Sequence, residues 1–163
     1  MSFFLQEFGI DEPSVDREVI AKAISGVENA ARLGALPLLP GVAETIPPLA
    51  AAGYRVEIMQ MLLAAGADPR ASGNHRRSNP LHYAADSCIT ASTWDPARQV
   101  EAIRLLLAAG AEIGAQDKNG AAAVHRAVRT RGAGAVGVLL ELGCNPTLKN
   151  KPGSTPFHLA VQN

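Results

Sequence analysis

The sequence predicts an all-α protein assembled from stacked units of two helices each. The string MLLAAGADP at 61–69 returns, with variations, as LLLAAGAEI at 105–113 and as VLLELGCNP at 138–146. A short segment rich in small and apolar residues precedes each string. Apolar residues make up 47% of the chain, but the aromatic residues are only four Phe, two Tyr and one Trp. A core of small aliphatic side chains favours closely packed helices over a sheet sandwich.

Each repeated string has the form of a helix end. Apolar residues lead to Gly66, Gly110 or Gly143, and the last two of these glycines are 33 residues apart. Glycine at such a place adopts the left-handed conformation that stops a helix at low steric cost. The repeat therefore predicts a turn, a short first helix, a second helix with a glycine stop, and a loop.

The first helices of the units carry a second motif. The corresponding segments are TIPPLAA at 45–51, NPLHYAA at 79–85, AAVHRAV at 122–128 and TPFHLAV at 155–161. A Thr-Pro-Leu-His-x-Ala head and a Leu-Leu-x-x-Gly-Ala tail at a period of 33 resemble the ankyrin repeat, over about residues 45–163. The resemblance implies a right-handed solenoid with a non-catalytic, protein-binding role. It also implies a concave binding groove formed by the loop tips and the first helices.

The domain organisation follows from the phase of the repeat. Helical spacing of apolar residues predicts a helix over about 16–32, within an N-terminal helical cap at 1–44. The second unit is longer than the third by about ten residues, which places an insertion at 86–98. Asp95 and Pro96 then predict the N-cap and first residue of its second helix. The predicted repeats span 45–78, 79–121, 122–154 and, in part, 155–163.

The motif histidines invite a comparison between a chemical site and a structural role. His82, His125 and His158 occupy equivalent positions in successive units. Because neighbouring helices pack ~8–10 Å apart, such side chains form a ladder and do not converge on one point. In the family that the chain resembles, this histidine forms hydrogen bonds around the turn. We therefore predict no catalytic residue, no metal site and no cofactor, and keep a metal-dependent enzyme as an alternative that metal analysis tests.

Charge is balanced over the chain but not along it. Residues 1–65 contain 4 Lys or Arg against 8 Asp or Glu, whereas residues 66–163 contain 11 against 7. The excess in the second half indicates a basic binding surface and a protein partner with an acidic patch. A nucleic-acid binder that uses the Arg- and Lys-rich loops is the alternative, although interleaved aromatic residues for stacking are absent.

The candidate partner-binding residues lie in three loops, at 68–78, 112–119 and 145–153, and just after the motif histidines. Tyr83 is an amphipathic anchor of the kind that interfaces favour, and Arg126 can pair with a carboxylate of a partner. Trp94 either packs the insertion against the solenoid or holds a partner. The predicted set is Arg70, His75, Arg76, Arg77, Tyr83, Asp86, Trp94, Asp117, Lys118, Arg126 and Arg129.

The remaining features favour a cytoplasmic monomer. Cys88 and Cys144 have apolar neighbours and no CxxC spacing, which predicts buried reduced thiols. The N-terminus lacks the form of a secretory signal, and the longest apolar run, at 33–43, is about half the ~20 residues of a membrane span. A narrower hypothesis is an inhibitor or immunity protein of a bacterial toxin or enzyme.

Overall fold

The computed structural model describes residues 56–64, 66–72, 75–87 and 95–162. These ranges form six helices and contain no strand, which confirms the all-α prediction. None of these helices is long and apolar enough to cross a membrane. The predicted cap at 1–44, the head of the first repeat at 45–51, Cys88 and Trp94 lie outside the described residues. The helices are α1 (Val56–Ala64), α2 (Pro80–Ala85), α3 (Pro96–Ala108), α4 (Ala123–Arg129), α5 (Ala133–Glu141) and α6 (Pro156–Gln162).

The helices pack in two layers. The short helices form one layer, in which α4 contacts both α2 and α6. The longer helices form the other, in which α3 contacts both α1 and α5. Each unit joins the layers through a helix pair, α2 with α3 and α4 with α5. Aliphatic side chains from both layers fill the core, among them Leu81, Ile103, Leu106 and Leu139.

The predicted glycine stops are confirmed. Gly66, Gly110 and Gly143 have φ values of 89°, 97° and 86°. The amide that follows each glycine donates back across the helix end, to Leu62, Leu106 or Leu139, with N···O distances of 2.9 Å in all three cases. Glycine is favoured here because a side chain at positive φ brings Cβ close to the backbone.

The start of α3 also follows the prediction. The Asp95 carboxylate accepts hydrogen bonds from the backbone amides of Ala97 at 2.9 Å and Arg98 at 3.3 Å. Pro96 occupies the first helical position, where its missing N–H has no intrahelical acceptor to lose. The chain therefore re-enters a helix directly after the insertion.

The glycine-rich stretch GAGAVG at 132–137 contains a helix boundary. Its glycines predict a loosened boundary between the helices of the third unit, and Gly132 is the N-cap of α5, while Gly134 and Gly137 lie within that helix. A Cβ on Gly134 would stand 3.4 Å from Cγ2 of Val100. A distance of this size is an ordinary van der Waals contact, so the packing of α3 against α5 does not itself require glycine at position 134.

Cys144 is a free, buried thiol, as the sequence predicts. It lies just after the glycine stop of α5, where its backbone amide closes the helix end. Burial raises the pKa of this thiol above its ordinary value. The thiolate is the nucleophilic form, so the environment makes Cys144 less reactive than an exposed cysteine.

Candidate functional site

The His82 ring joins two successive units. Its Nδ1 accepts a hydrogen bond from the backbone N–H of Asn79 at 3.2 Å, and the N–H of His82 donates to Asn79 Oδ1 at 3.1 Å. On the other side of the ring, Nε2–H donates to the carbonyl of Ala121, in the next turn, at 2.9 Å. Burial and the neighbouring Arg126 charge lower the pKa of His82 to about 4. The ring is therefore neutral near pH 7, as one accepting and one donating nitrogen require.

The other motif histidines repeat this arrangement with different caps. The N–H of Ala122 donates to His125 Nδ1 at 3.2 Å, and His125 Nε2 lies 3.3 Å from the Ser154 carbonyl. Ala122 has no side-chain acceptor to return the bond. At the last turn, the Thr155 hydroxyl lies 2.7 Å from His158 Nδ1. The predicted hydrogen bonds around the turns are confirmed, and no group of three His, Cys, Asp or Glu side chains among the described residues is placed to hold a metal ion.

Arg126 is the centre of a buried polar cluster. Its Nη1 lies 3.0 Å from Asp86 Oδ2, and its Nη2 lies 3.0 Å from Asp117 Oδ2. The same Nη2 donates to the Ser78 hydroxyl at 2.5 Å. The guanidinium carbon also lies 5.5 Å from the centre of the Tyr83 ring. These five residues, called the Arg126 cluster below, connect α2, α4 and the loop between α3 and α4.

The charges of the cluster support one another. Burial alone would lower the pKa of Arg126, but Coulombic attraction to Asp86 and the hydrogen bond to Asp117 outweigh it and raise that pKa. Burial likewise opposes ionisation of Asp117, yet hydrogen bonds from Arg126 and the Ala121 amide keep the Asp117 pKa below its ordinary value. Asp117 Oδ1 accepts from the amides of Asn119 and Ala121 at 2.8 and 3.0 Å. Arg126 thereby fixes the shape of the loop that contains Asp117.

Three candidate site residues lie deeper than the sequence suggests. Tyr83 is 2% exposed, Arg126 is 3% exposed and Asp117 is 8% exposed. The expectation that they face solvent in the groove is corrected, because Arg126 lies between carboxylates 9 and 40 residues away in sequence. Such burial holds a charge only when partners are present. A role for these three in binding stays a prediction, and the contacts favour support of the surface above them.

Most other candidates lie at the surface. His75, Arg77, Lys118 and Arg129 are exposed, and Arg76 is half-buried. Arg129 Nη2 lies 3.6 Å from Oδ1 of the partly exposed Asp86, which joins the Arg126 cluster to the surface. Arg70 is also exposed and donates through Nε–H to the Gly110 carbonyl at 2.7 Å.

The tips of three loops stand next to one another. We call residues 75–77, 118–120 and 151–153 the loop edge. The Lys118 amide donates to the Arg76 carbonyl at 2.8 Å, and the Lys151 amide donates to the Asn119 carbonyl at 3.0 Å. Both bonds join the same two positions of successive units, seven and six residues before the motif histidines. The tips are therefore hydrogen-bonded in register, in the manner of neighbouring strands, along the described part of the array.

The seventh position before each motif histidine is exposed in all three tips. The residues there are His75, Lys118 and Lys151. The candidate set predicted from the sequence includes the first two and omits Lys151. The sequence signal that would have identified it is its position seven residues before His158, the same spacing as Lys118 has to His125. The structure adds that these positions are joined through hydrogen bonds between the tips.

Arg77 stands where the other two tips have glycine. Its φ is 53°, while Gly120 and Gly153, five residues before their motif histidines, have φ values of 72° and 86°. A non-glycine residue in this left-handed region costs on the order of 1–2 kcal/mol. The first tip thus has an exposed positive side chain at a position where the backbone conformation favours glycine.

Comparison with known proteins agrees with this architecture. The family model described as Ankyrin repeat matches residues 77–118. The chain contains ankyrin repeats. Ankyrin repeats are generally protein–protein interaction modules and are generally non-catalytic.

Three relatives illustrate the range of proteins with similar repeats. The E3 ubiquitin-protein ligase KEG of Arabidopsis thaliana is 32% identical over 64% of this chain and 6% of its own length. The SH3 and multiple ankyrin repeat domains protein 2 of Homo sapiens is 34% identical over 65% of the chain and 5% of its own length. An ankyrin repeat and LEM domain-containing protein 1 homologue of Caenorhabditis elegans is 32% identical over 58% and 12%. The chain therefore matches only a small part of each relative.

The layer of longer helices α1, α3 and α5, called the outer layer below, uses its charges differently from the loop edge. Arg98 on α3 lies 2.6 Å from Glu57 on α1, and Arg104 on α3 lies 2.6 Å from Glu141 on α5. Exposed pairs of this kind contribute little to stability, because solvent screens them. Their consequence for the site is that acidic side chains of the outer layer are matched locally, so that positive charge remains concentrated at the loop edge.

Proposed function

We propose that this chain is a protein-binding module that recognises an acidic surface of a partner protein through its loop edge. The observation that carries the proposal is the alignment of Lys118 and Lys151, with His75 at the same position, on three tips joined in register. Asp117, the acidic neighbour of Lys118, is buried and paired with Arg126. Its charge is thereby turned away from the surface that Lys118 presents.

Charge complementarity supports an acidic partner. Arg76, Arg77 and Lys149 flank the aligned positions, and the exposed acidic residues of the same loops are Asp68 and Glu112. A basic surface of this kind steers an acidic partner during encounter and selects against partners of like charge. Binding should therefore weaken as salt screens the attraction, because the Debye length falls from ~10 Å at 0.1 M to ~3 Å at 1 M.

The Arg126 cluster supports the binding surface from below. Arg126 holds Asp117, and Asp117 in turn accepts from the amides of Asn119 and Ala121, which bracket the tip of the second loop. A pre-organised loop loses less conformational freedom when it binds. In this proposal the buried residues position the tip, and the exposed residues contact the partner.

Nucleic acid is less well matched to the same surface. Single-stranded nucleic acids are bound with aromatic side chains on which bases stack, in addition to positive charge. Among the described residues, Tyr83 is buried, and the exposed Phe157 lies on α6 and is not part of the loop edge. The narrower hypothesis, an inhibitor or immunity protein of a bacterial toxin or enzyme, stays a prediction from the sequence.

The proposal is tested by unbiased capture with matched bait proteins. The wild-type chain, a Lys118→Glu/Lys151→Glu variant and an Arg98→Glu/Arg104→Glu variant are used as baits, and captured proteins are identified by mass spectrometry. Both variants change the net charge by the same amount, but only the first alters the loop edge. Thermal melting of each bait verifies that it is folded.

The expected result is an acidic partner that the wild-type chain and the outer-layer variant retain and the loop-edge variant loses. Loss of capture by both variants would indicate a general charge effect and contradict the assignment to the loop edge. Capture that persists in the loop-edge variant would place the binding surface elsewhere. Tight, salt-dependent binding to a random DNA duplex, in the absence of any captured acidic protein, would favour the nucleic-acid alternative.

A further inference from the structure

The spacing of the loop edge restricts the shape of a partner. Within the second tip, the Asp117 amide donates to the Ala121 carbonyl at 2.9 Å, and within the third, the Asn150 amide donates to the Ser154 carbonyl at 3.0 Å. The second and third loops are therefore narrow turns with two limbs each. Neighbouring hydrogen-bonded limbs lie ~4.8 Å apart, and each loop contributes two limbs. Equivalent positions in successive loops are therefore separated by roughly 10 Å.

We infer that the loop edge binds an extended, polyproline-like acidic segment with a carboxylate at every third residue. The inference rests on the proposed function and adds the conformation and charge pattern of the segment. A polyproline helix has 3 residues per turn and rises 3.1 Å per residue, so residues i, i+3 and i+6 share one face at ~9.3 Å intervals. That interval matches the ~10 Å between His75, Lys118 and Lys151.

Other regular conformations match this surface less well. In a β-strand the residues on one face are i and i+2, which are ~6.6 Å apart, so the second carboxylate would fall between two tips. A bound helix usually inserts an apolar face into a hydrophobic groove. The exposed large apolar side chains among the described residues are Leu140, Leu142, Phe157 and Val161, and none of them lies on the loop edge.

Arg77 adds a feature that separates binding from folding. It is exposed, lies in the tip of the first loop and has a left-handed φ of 53°. In the other two tips glycine takes this position. The Arg77→Gly substitution therefore removes a positive side chain and relieves the backbone at the same time. If Arg77 served only stability, the substitution would instead lower the melting temperature.

The inference is tested with three fluorescent peptides of identical composition, each containing four Glu residues on a Pro and Ser background. In one peptide Glu occupies every third position, in another every second position, and in the last the four Glu are contiguous. A fourth peptide replaces each Glu of the first by Lys. Fluorescence anisotropy at ~50 mM and ~150 mM salt measures the affinity for the full chain.

The expected result is that the peptide with Glu at every third position binds roughly five- to tenfold more tightly than its isomers, since matched exposed charge pairs each contribute modestly. The Lys peptide should not bind. The Lys118→Glu/Lys151→Glu variant should lose the preference. Arg77→Gly should weaken binding a few-fold while its melting temperature stays equal to that of the wild type or rises.

Several outcomes would overturn the inference. Equal affinity for all three acidic peptides would contradict the spacing and leave the proposed acidic partner intact. Preference for the peptide with Glu at every second position would show that the bound segment is a β-strand and not a polyproline helix. No binding of any peptide, combined with charge-dependent capture of a folded protein, would show that the loop edge reads a folded surface. Failure of both the peptides and the capture experiment would reject the proposed function itself.

Discussion

The Arg126 cluster and the loop edge use similar residues for opposite purposes. Asp117 and Lys118 are neighbours in sequence, yet Asp117 is buried beside Arg126 while Lys118 is exposed at a loop tip. Arg126 and Arg129 differ in the same way on one helix, with 4% and 59% of their side chains exposed. Buried charges at this junction link the units, whereas exposed charges at the edge remain accessible to a partner.

This difference shows that charge alone does not mark a binding residue in a repeat array. A buried pair is costly to break, because removal of one partner leaves an uncompensated charge away from water. An exposed charge is cheap to remove and acts mainly through the field that it creates. The two sets should therefore separate cleanly in experiments that measure stability and binding on the same variants.

The largest effect is expected from Arg126→Ala. It leaves Asp117 buried without its guanidinium partner, and we expect a loss of roughly 3–5 kcal/mol in the free energy of unfolding. Urea denaturation followed by circular dichroism measures this loss. Arg129→Ala, three residues along the same helix, is the matched control and should cost less than about 1 kcal/mol. Similar losses in the two variants would show that the buried cluster does not contribute more to stability than an exposed arginine of α4.

A smaller effect is expected from acid, through His82. Its pKa is about 4 in the folded chain, against an ordinary value of 6.5 for histidine, which we take for the unfolded chain. The unfolded chain thus takes up the proton first, and stability present above pH 6.5 is lost as the pH falls towards 4. The loss from this ring should approach about 3 kcal/mol, with His125 adding in the same direction because burial lowers its pKa as well.

Thermal melting between pH 7 and pH 4.5 measures the slope. In His82→Gln the protein should be less stable at pH 7, because the hydrogen bond to the Ala121 carbonyl is changed, and its stability should depend less on pH in this range. An unchanged slope in the variant would mean that other groups control the acid response.

The next effect concerns a backbone contact within the loop edge. A Cβ on Gly120 would lie 2.7 Å from the backbone nitrogen of Lys151, and Gly120 has a φ of 72°. Gly120→Ala should therefore cost roughly 2 kcal/mol, since the backbone at positive φ and the crowded amide both oppose a side chain. Gly114→Ala is the control, because no atom lies within 4 Å of its added Cβ. Equal stability of the two variants in urea would contradict the close approach of the second and third tips.

The smallest effect is expected at the outer layer. Arg104→Ala removes the ion pair to Glu141, whose side chain is 61% exposed. We expect a change of less than about 1 kcal/mol in the free energy of unfolding, and no change in partner binding. The same denaturation and capture experiments measure both quantities. A loss of binding in this variant would mean that the outer layer, and not the loop edge, contacts the partner.

Much of the fold could be predicted because its signals are local. A glycine at positive φ, an Asp-Pro helix start and a histidine facing its own turn each depend on residues within a few positions. The repeat then fixes the relation between units, since similar local structures that recur along the chain stack in the same way. The helices and their turn bonds follow from these two kinds of information.

The site was harder to predict because its determinants are distant in sequence. Arg126 meets Asp86 and Ser78 at separations of 40 and 48 residues. A basic residue after a motif histidine therefore looks exposed until the partners are placed around it. The alignment of Lys151 with Lys118 depends likewise on hydrogen bonds between loops.

The two histidine bridges differ in a way that affects the dynamics of the loop edge. His82 Nε2 lies 2.9 Å from its carbonyl in the next turn, whereas His125 Nε2 lies 3.3 Å from Ser154, and the helix that follows, α6, leaves Phe157 73% exposed. Amide hydrogens of α6 should therefore exchange with solvent sooner than those of α4. The tip that carries Lys151 leads directly into α6, so each opening of that helix displaces Lys151 from the loop edge. Avidity for a long acidic segment would then fall on warming before the rest of the array melts.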